Sequence, residues 1–118
     1  MANQICHFEI GCRDREKAAS FYAKMFDWTL APDPVGTAIK TGGDVGGHLN
    51  ALGHEPHTYT IFYVMVDDVG AALEKAVSLG GRKIVGPVPL PNNSVFGWFA
   101  DPEGNTIGVY GEGRSAAR

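Results

Sequence analysis

The feature that most constrains the fold of this chain is an internal repeat with a constant offset of 54 residues, so that Ile10 matches Val64 and Asp14 matches Asp68. Matched positions keep their physical character, and self-similarity at a fixed offset is typical of duplicated structural units. Each half has the pattern of a strand, a helix and three further strands. A single unit of this kind leaves one sheet face uncovered, because its helix packs on the other face. The sequence therefore predicts an α+β fold of tandem β-α-β-β-β modules.

The predicted elements follow one another within a single domain, residues 1–118. The first module, residues 5–52, has a strand at Ile5–Cys12, a helix at Arg15–Phe26, and strands at Trp28–Ala31, Gly36–Thr41 and Gly46–Ala51. The second module, residues 58–112, has a strand at Thr58–Val66, a helix at Val69–Leu79, and strands at Arg82–Val85, Gly97–Ala100 and Asn105–Tyr110, with a Pro-rich loop at Gly86–Asn93. We expect the open faces of the two modules to form a cupped mixed sheet around a shared cavity.

Side-chain periodicity assigns faces to the elements of the first module. Phe8 and Ile10 alternate with His7 and Glu9 along the first strand, as expected for a strand with one buried face. The apolar pair is predicted to face the helix, which places His7 and Glu9 on the open face. On the helix, Phe21 and Met25 lie at the spacing of the inward stripe. Phe21 and Trp28 are assigned to the core.

Composition limits the classes of function. The chain is 44% hydrophobic and 19% charged, as is usual for globular proteins. A net charge of −3 without a Lys/Arg cluster argues against a nucleic-acid partner. No apolar run approaches the roughly 18 residues of a membrane span, and Met1–Gln4 lacks the features of a signal peptide. Cys6 and Cys12 lie about 20 Å apart on one predicted strand, too far for a disulfide. We therefore expect a cytoplasmic protein with reduced thiols and no membrane partner.

The last two predicted strands are joined by Asp101-Pro102-Glu103-Gly104. Asp at the first position, Pro at the second and Gly at the fourth favour a type I turn. The end of the second module is therefore predicted to be a hairpin.

Three motifs together resemble the vicinal oxygen chelate superfamily: His-Phe-Glu-Ile at 7–10, Ala-Ala-x-Phe-Tyr at 18–22, and Phe-Ala-Asp-Pro-Glu-Gly-Asn-x-Ile-Gly at 99–108. That superfamily includes glyoxalase I, bleomycin-resistance proteins, fosfomycin-resistance enzymes and extradiol dioxygenases. The resemblance covers residues 5–112, and it extends in particular to small bacterial glyoxalase-related proteins of unassigned activity. It implies the two-module fold with a shared cavity. Because members usually dimerise, it also implies a homodimer.

The resemblance further implies where a metal would be held, since metal-using relatives take one ligand from the first strand and one from the last strand of each module. These positions fall on His7 and His48 in the first module, and on Ile61 and Gly108 in the second. A catalytic metal centre normally has three protein ligands. The favoured prediction is therefore that no metal cofactor is used. The alternative is a divalent metal on His7 and His48, since imidazole suits Zn, Ni and Fe.

Further candidate site residues lie on the predicted cavity faces. Glu9 is a candidate general base, because a carboxylate within an apolar cavity suits proton transfer. The alternative is that Glu9 pairs with a histidine or is open to solvent. Tyr63, Trp98 and Tyr110 share a face by strand parity and are candidates for stacking on a flat ligand, with core packing as the alternative. The predicted ligand-binding set is His7, Glu9, His48, Tyr63, Trp98 and Tyr110.

Two functions of different class follow from these residues. The first is a protein of the glyoxalase/bleomycin-resistance type that binds a small organic molecule in the cavity between the modules, without a complete metal site. The second is a metal-dependent lyase, isomerase or dioxygenase of the glyoxalase type, with His7 and His48 on the metal and Glu9 as the proton shuttle. Whether the protein is an enzyme stays open at this point.

Overall fold

The computed structural model describes residues 3–113, which form two helices and eight strands. Their bounds in chain order are β1 (Ile5–Gly11), α1 (Arg15–Phe26), β2 (Thr29–Pro32), β3 (Thr37–Lys40), β4 (Gly46–Asn50), β5 (Tyr59–Met65), α2 (Val69–Ser78), β6 (Arg82–Pro89), β7 (Ser94–Ala100) and β8 (Thr106–Glu112). This order confirms the predicted α+β fold with two β-α-β-β-β patterns. The chain divides into two compact units. Of the described residues, the first unit contains Cys6–Ile61, and the second unit contains residues 3–5 and 62–113.

The sheet of the first unit has the strand order β2-β3-β4-β1. The strands β1 and β4 run parallel, with Glu9 opposite His48, whereas the β2–β3 and β3–β4 pairs are antiparallel. The helix α1 begins after Asp14, whose carboxylate accepts a hydrogen bond of 3.0 Å from the backbone N–H of Lys17. Asp14 is therefore the N-cap, because its carboxylate satisfies a backbone donor that has no partner within the helix.

The core of the first unit lies between α1 and the sheet. Its buried members are Cys12, Ile39 and Leu49, and the side chains packed against them are Phe8, Ile10, Ala18, Ala19, Trp28 and Leu30. Phe8 and Ile10 therefore face the helix, which confirms the predicted alternation of β1. Since successive side chains of a strand point to opposite faces, His7 and Glu9 lie on the face away from α1.

The assignment of Phe21 to the core is wrong, because 59% of its surface is exposed. Met25, which was also predicted to face inward, is 60% exposed. The helix rests on the core through the small side chains of Ala18 and Ala19. The face of α1 that contacts the sheet therefore includes Ala18 and Ala19 but not Phe21 or Met25. Trp28 is half-buried and packs against the core as predicted.

The sheet of the second unit has the order β5-β8-β7-β6 and repeats the pattern of the first. Its β5–β8 pair is parallel, with Tyr63 opposite Gly108, and the β7–β8 and β6–β7 pairs are antiparallel. The helix α2 begins after Asp68, whose carboxylate accepts from the N–H of Ala71 at 3.0 Å. Its inward face buries Val69, Leu73 and their partners on the sheet, Val95 and Val109.

The predicted loop at Gly86–Asn93 is partly wrong because β6 continues to Pro89. The predicted strand Gly97–Ala100 is too short, since β7 already begins at Ser94. Two register irregularities between β6 and β7 accommodate the extra residues. Gly86 has a φ of +113°, and a Cβ at that position would lie 2.8 Å from the carbonyl oxygen of Phe96. Gly86 thus allows β6 to continue through a bulge, where most other residues would clash with β7.

The closing turn is capped by the carboxylate of Asp101. Asp101 Oδ1 accepts hydrogen bonds from the backbone N–H groups of Glu103 and Asn105 at 2.9 and 2.8 Å. The N–H of Gly104 donates to the Asp101 carbonyl at 2.9 Å. These bonds, with that from the Asn105 side chain first, hold the pKa of Asp101 below its ordinary value. Both cysteines are free, and neither helix of the described part is long and apolar enough to cross a membrane.

Candidate functional site: a polar cluster in the first unit

A group of polar side chains lies in the first unit around the sheet face away from α1. We call it the polar cluster, and its members are His7, Glu9, Asp33, His48, Asn50 and Tyr59. The parallel register of β1 and β4 sets Glu9 opposite His48, so that the two lie side by side on one face. The sequence predicted three of these residues as site residues, and the structure brings all three together.

Within the cluster, two histidines and an aspartate form a continuous hydrogen-bonded chain. His7 Nε2 lies 2.8 Å from His48 Nδ1, and His48 Nε2 lies 2.8 Å from Asp33 Oδ2. Both nitrogens of the His48 ring are therefore engaged, one by each neighbour. Because His48 is bonded on both sides, its ring is fixed in position and in rotation.

Asp33 is held by the turn in which it lies, Asp33-Pro34-Val35-Gly36 between β2 and β3. Its Oδ1 accepts from the backbone N–H groups of Val35 and Gly36, each at 2.9 Å. Its own N–H donates to the carbonyl oxygen of Gly36 at 2.8 Å. One carboxylate oxygen is thus used by the turn, and the other is aimed at His48.

The environment shifts the pKa values of His7 and Asp33, the two end members of this series of hydrogen bonds. Burial lowers the pKa of His7, the nearby His48 lowers it further, and the weaker effects of Glu9 and Asp33 oppose them. Partial burial raises the pKa of Asp33, but the hydrogen bonds from His48, Gly36 and Val35 outweigh it and leave that pKa lowered. Near neutral pH, His7 is therefore a neutral imidazole and Asp33 an ionised carboxylate.

Glu9 is buried, with 8% of its surface exposed. Its Oε2 accepts from Asn50 Nδ2 at 3.0 Å and from the hydroxyl of Tyr59. Burial, followed by the hydrogen bond to Glu9, raises the pKa of Tyr59 above its ordinary value, so the phenol keeps its proton. The interpretation that Glu9 is open to solvent is therefore wrong, and the bonds to its Oε2 come from an amide and a phenol. The role of Glu9 as a base stays a prediction.

A glycine makes room for the phenol that holds Glu9. A Cβ at Gly11 would overlap the ring of Tyr59. The ring therefore lies directly over the backbone of β1, and its hydroxyl reaches the carboxylate two residues earlier in the strand. Close approach of this kind is available only where the strand has no side chain.

The predicted aromatic residues lie together in the second unit, on the sheet face away from α2. Trp98 Nε1 donates to the hydroxyl of Tyr63 at 2.7 Å, and both residues are more than nine-tenths buried. Tyr110 stands opposite Phe96 in the ladder and is half-buried. The shared face is as predicted, and it also includes Phe96, whose ring meets that of Tyr63 edge to face. Contact of Tyr63, Trp98 and Tyr110 with a ligand stays a prediction.

The residues at the four positions that the resemblance assigns to metal ligands do not form a complete ligand set. In the first unit, the facing nitrogens of His7 and His48 hydrogen-bond to each other, and Ile61 is 5% exposed and apolar. In the second unit, a Cβ at Gly108 would overlap the ring of Tyr63, so the aromatic ring fills the space of a side chain. Among residues 3–113, no group of three or more His, Cys, Asp or Glu side chains could hold an ion.

A cavity of about 300 Å³ lies elsewhere, in the second unit at the C-terminal end of α2. It is lined by Ala72, Lys75, Ala76, Leu79, Gly81, Phe99, Asp101, Pro102 and Val109. None of the predicted site residues lines it. This cavity is on the helix side of the sheet, whereas Tyr63 and Trp98 are on the opposite side.

Sequence reasoning missed Asp33, Asn50 and Tyr59. Asn50 follows His48 by two residues on β4, so strand periodicity could have placed it on the same face. Asp33 opens an Asp-Pro-x-Gly segment, the same signature as the turn at residues 101–104. Tyr59 precedes Ile61 by two residues on β5, so the same periodicity could have placed it on the face of Ile61. Its contact with Glu9 was not predictable in this way, because it also depends on the missing side chain at Gly11.

Comparison with known proteins agrees with this architecture. Residues 4–109 match the Glyoxalase/Bleomycin resistance protein/Dioxygenase superfamily. A glyoxylase-like domain-containing protein of Didymella fabae is 32% identical over 117 residues, which cover 90% of this chain and 91% of that protein.

Solved structures share the fold at much lower identity. Methylmalonyl-CoA epimerase from Mycobacterium tuberculosis is 16% identical with a TM-score of 0.67, covering 99% of this chain and 93% of that one. The NAD-dependent benzaldehyde dehydrogenase from Legionella pneumophila is 12% identical with a TM-score of 0.67, covering 90% and 97%. At such identities the similarity shows the fold alone, and the two names describe unrelated reactions.

Proposed function

Since this chain belongs to the Glyoxalase/Bleomycin resistance protein/Dioxygenase superfamily, we propose that it binds a small organic molecule through the polar cluster of its first unit. His7, Glu9 and His48 are the proposed polar contacts. Tyr63, Trp98 and Tyr110 of the second unit are proposed as further contacts that stack on a flat part of the molecule. No metal is part of this proposal.

The observation that supports it is the polar cluster itself. Burying a polar group costs free energy unless its hydrogen bonds are restored, so polar groups that serve no purpose are rarely buried together. Here a carboxylate that is 8% exposed lies opposite a half-buried histidine on the same sheet face. An apolar face would be a simpler way to stabilise this unit. The cluster is better explained by recognition of polar groups on a ligand.

Thermal denaturation with a panel of small aromatic compounds tests the proposal. A compound present at about 100 times its dissociation constant adds about 2.7 kcal/mol to the free energy of unfolding, which raises the melting temperature measurably. We expect at least one compound to stabilise the unaltered protein, and His7→Ala and Glu9→Gln to remove that stabilisation. His54→Ala, in the exposed segment between β4 and β5, is the matched control and should respond like the unaltered protein. Stabilisation that survives in both cluster variants would contradict the proposal.

Metal analysis of the purified protein separates this function from the metal-dependent alternative. We expect less than one equivalent of Zn, Ni or Fe, and no change in metal content on replacing His7 or His48 with alanine. Stoichiometric metal that is lost in both variants would overturn the proposal, because it would show that the two rings serve as ligands.

We further propose that the protein is a homodimer in a reducing, cytoplasmic compartment. The dimer is proposed by analogy with the superfamily, and the compartment from the two free cysteines, Cys6 and Cys12. Light scattering of the purified chain tests the first part. A mass of one chain, 12.6 kDa, at all concentrations would contradict it.

A further inference from the structure

The hydrogen bonds that link Asp33, His48 and His7 all depend on one group, the Asp33 carboxylate. An ionised carboxylate only accepts hydrogen bonds. His48 must therefore carry a proton on Nε2, the nitrogen 2.8 Å from Asp33 Oδ2. In the neutral ring, the other nitrogen of His48 is then an acceptor.

The same reasoning extends to His7. Because His48 Nδ1 accepts, His7 Nε2, which lies 2.8 Å away, must donate. In neutral His7 the proton is then on Nε2, and Nδ1 carries a lone pair. Hydrogen bonds that point in one direction also polarise one another, which strengthens the acceptor at the end of the chain.

We propose that Asp33 is a positioning residue that fixes both histidines of the polar cluster in the Nε2-protonated form. Their part in ligand binding rests on the proposed function, but the proton positions stand independently of it.

The turn around Asp33 makes a sharp variant available. Asp33 Oδ1 is held by the N–H groups of Val35 and Gly36. In Asp33→Asn, the amide oxygen must take the position of Oδ1, because only an oxygen can accept from these two N–H groups. The amide NH₂ then faces His48. A donor at this position forces the His48 proton from Nε2 to Nδ1, and the His7 proton from Nε2 to Nδ1 in turn. Asp33→Asn is therefore expected to reverse the direction of both hydrogen bonds, from Asp33 to His48 and from His48 to His7, while the side chains stay in place.

Imidazole ¹⁵N NMR of the full chain, at a pH of about 8, reads these proton positions directly, because that pH lies above the ordinary pKa of a histidine side chain. We expect protonated Nε2 and unprotonated Nδ1 for His7 and His48 in the unaltered protein, and the opposite pattern for both in Asp33→Asn. Asp44→Asn, at an exposed aspartate of the same unit, is the matched control, and the resonances of His54 serve as an internal one. A purely structural role for Asp33 would not move the ring protons.

Two results would overturn the inference: His48 protonated on Nδ1 in the unaltered protein, or ring protons that stay in place in Asp33→Asn. If Asp33→Asn does not fold, the spectrum of the unaltered protein still decides. Failure of the proposed function is a separate result, in which the proton positions are as expected but no compound stabilises the protein.

Discussion

Glu9 shows at the scale of one residue how this chain keeps a carboxylate under its surface. Tyr59 and Asn50 both donate to its Oε2, and Gly11 provides the space for the phenol ring. Hydrogen bonds to a charged group are stronger than those between neutral groups, so each donor has a measurable effect on stability.

Tyr59→Phe is therefore expected to lower the free energy of unfolding by about 1–3 kcal/mol, because it removes a donor from a buried carboxylate and keeps the ring. Chemical denaturation of the purified variant measures the change. Tyr22→Phe is the matched control, since Tyr22 is half-buried and its ring stacks on that of Trp28 with the ring centroids 6.0 Å apart. We expect the control to change stability much less. Equal effects in the two variants would show that the Tyr59 hydroxyl does not support Glu9.

His7 gives a prediction for pH. Its pKa is lowered by burial and by His48, against the opposing charges of Glu9 and Asp33. Between that lowered pKa and the ordinary value of about 6.5, the unfolded chain binds more protons than the folded chain. The free energy of unfolding should therefore fall as the pH drops below about 6.5, and the loss should be complete below the folded pKa.

Denaturation at several pH values tests this, with His7→Gln as the variant and His54→Gln as the control. We expect the variant to lose less stability than the unaltered protein between pH values of about 7.5 and 5. The control should follow the unaltered protein. An unchanged pH profile in His7→Gln would contradict the assigned shift.

At the scale of elements, the two modules repeat one pattern with different side chains at equivalent places. Glu9 opposes His48 in the parallel pair of the first unit, and Tyr63 opposes Gly108 in that of the second. A small residue beside a large ring recurs in both units, since Phe8 covers Gly47 and Tyr63 covers Gly108. These glycines are therefore part of the packing.

Gly108→Ala is expected to destabilise the protein by about 1–3 kcal/mol, because the new methyl group would overlap the buried Tyr63 ring. Thermal or chemical denaturation measures it. Gly43→Ala is the control: its nearest neighbour would be 3.9 Å away and its φ is not positive, so we expect little change or a small gain. If Gly108→Ala is as stable as the control, Tyr63 can move aside and the position is open to larger side chains.

The elements show how far the sequence leads. The offset of 54 residues and the pattern of one strand, one helix and three strands in each half were enough to predict both helices and their order among the strands. The extent of β6 was not predictable, since a Gly-Pro pair normally ends a strand and only tertiary pairing with β7 carries it further. Phe21 was misplaced because helical periodicity identifies the apolar face of α1 but not which part of that face contacts the sheet.

The candidate site was predictable to a smaller degree. Strand parity and the resemblance identified His7, Glu9 and His48, since both depend on local spacing. Asp33 lies 15 residues from His48, and Tyr59 lies 50 residues from Glu9. Contacts over such separations follow from the folded arrangement and leave no periodic signal in one sequence.

At the scale of the whole molecule, family membership establishes the fold but does not determine the function. The chain matches the superfamily over residues 4–109. The resemblance implies that Ile61 and Gly108 occupy two of the four metal-ligand positions. The proposed polar contacts with a ligand lie in the polar cluster. Our central claim is that this cluster, and not the cavity beside α2, receives the small molecule.

Amide chemical-shift mapping tests that claim most directly. The ¹⁵N-labelled full chain would be titrated with a compound that stabilises it in the thermal panel, with Asp44→Asn as a folded control. We predict that the largest shifts fall on β1, β4 and the turn at Asp33–Gly36. Shifts confined to Ala72–Leu79 and Asp101–Pro102, which line the cavity of the second unit, would contradict the account.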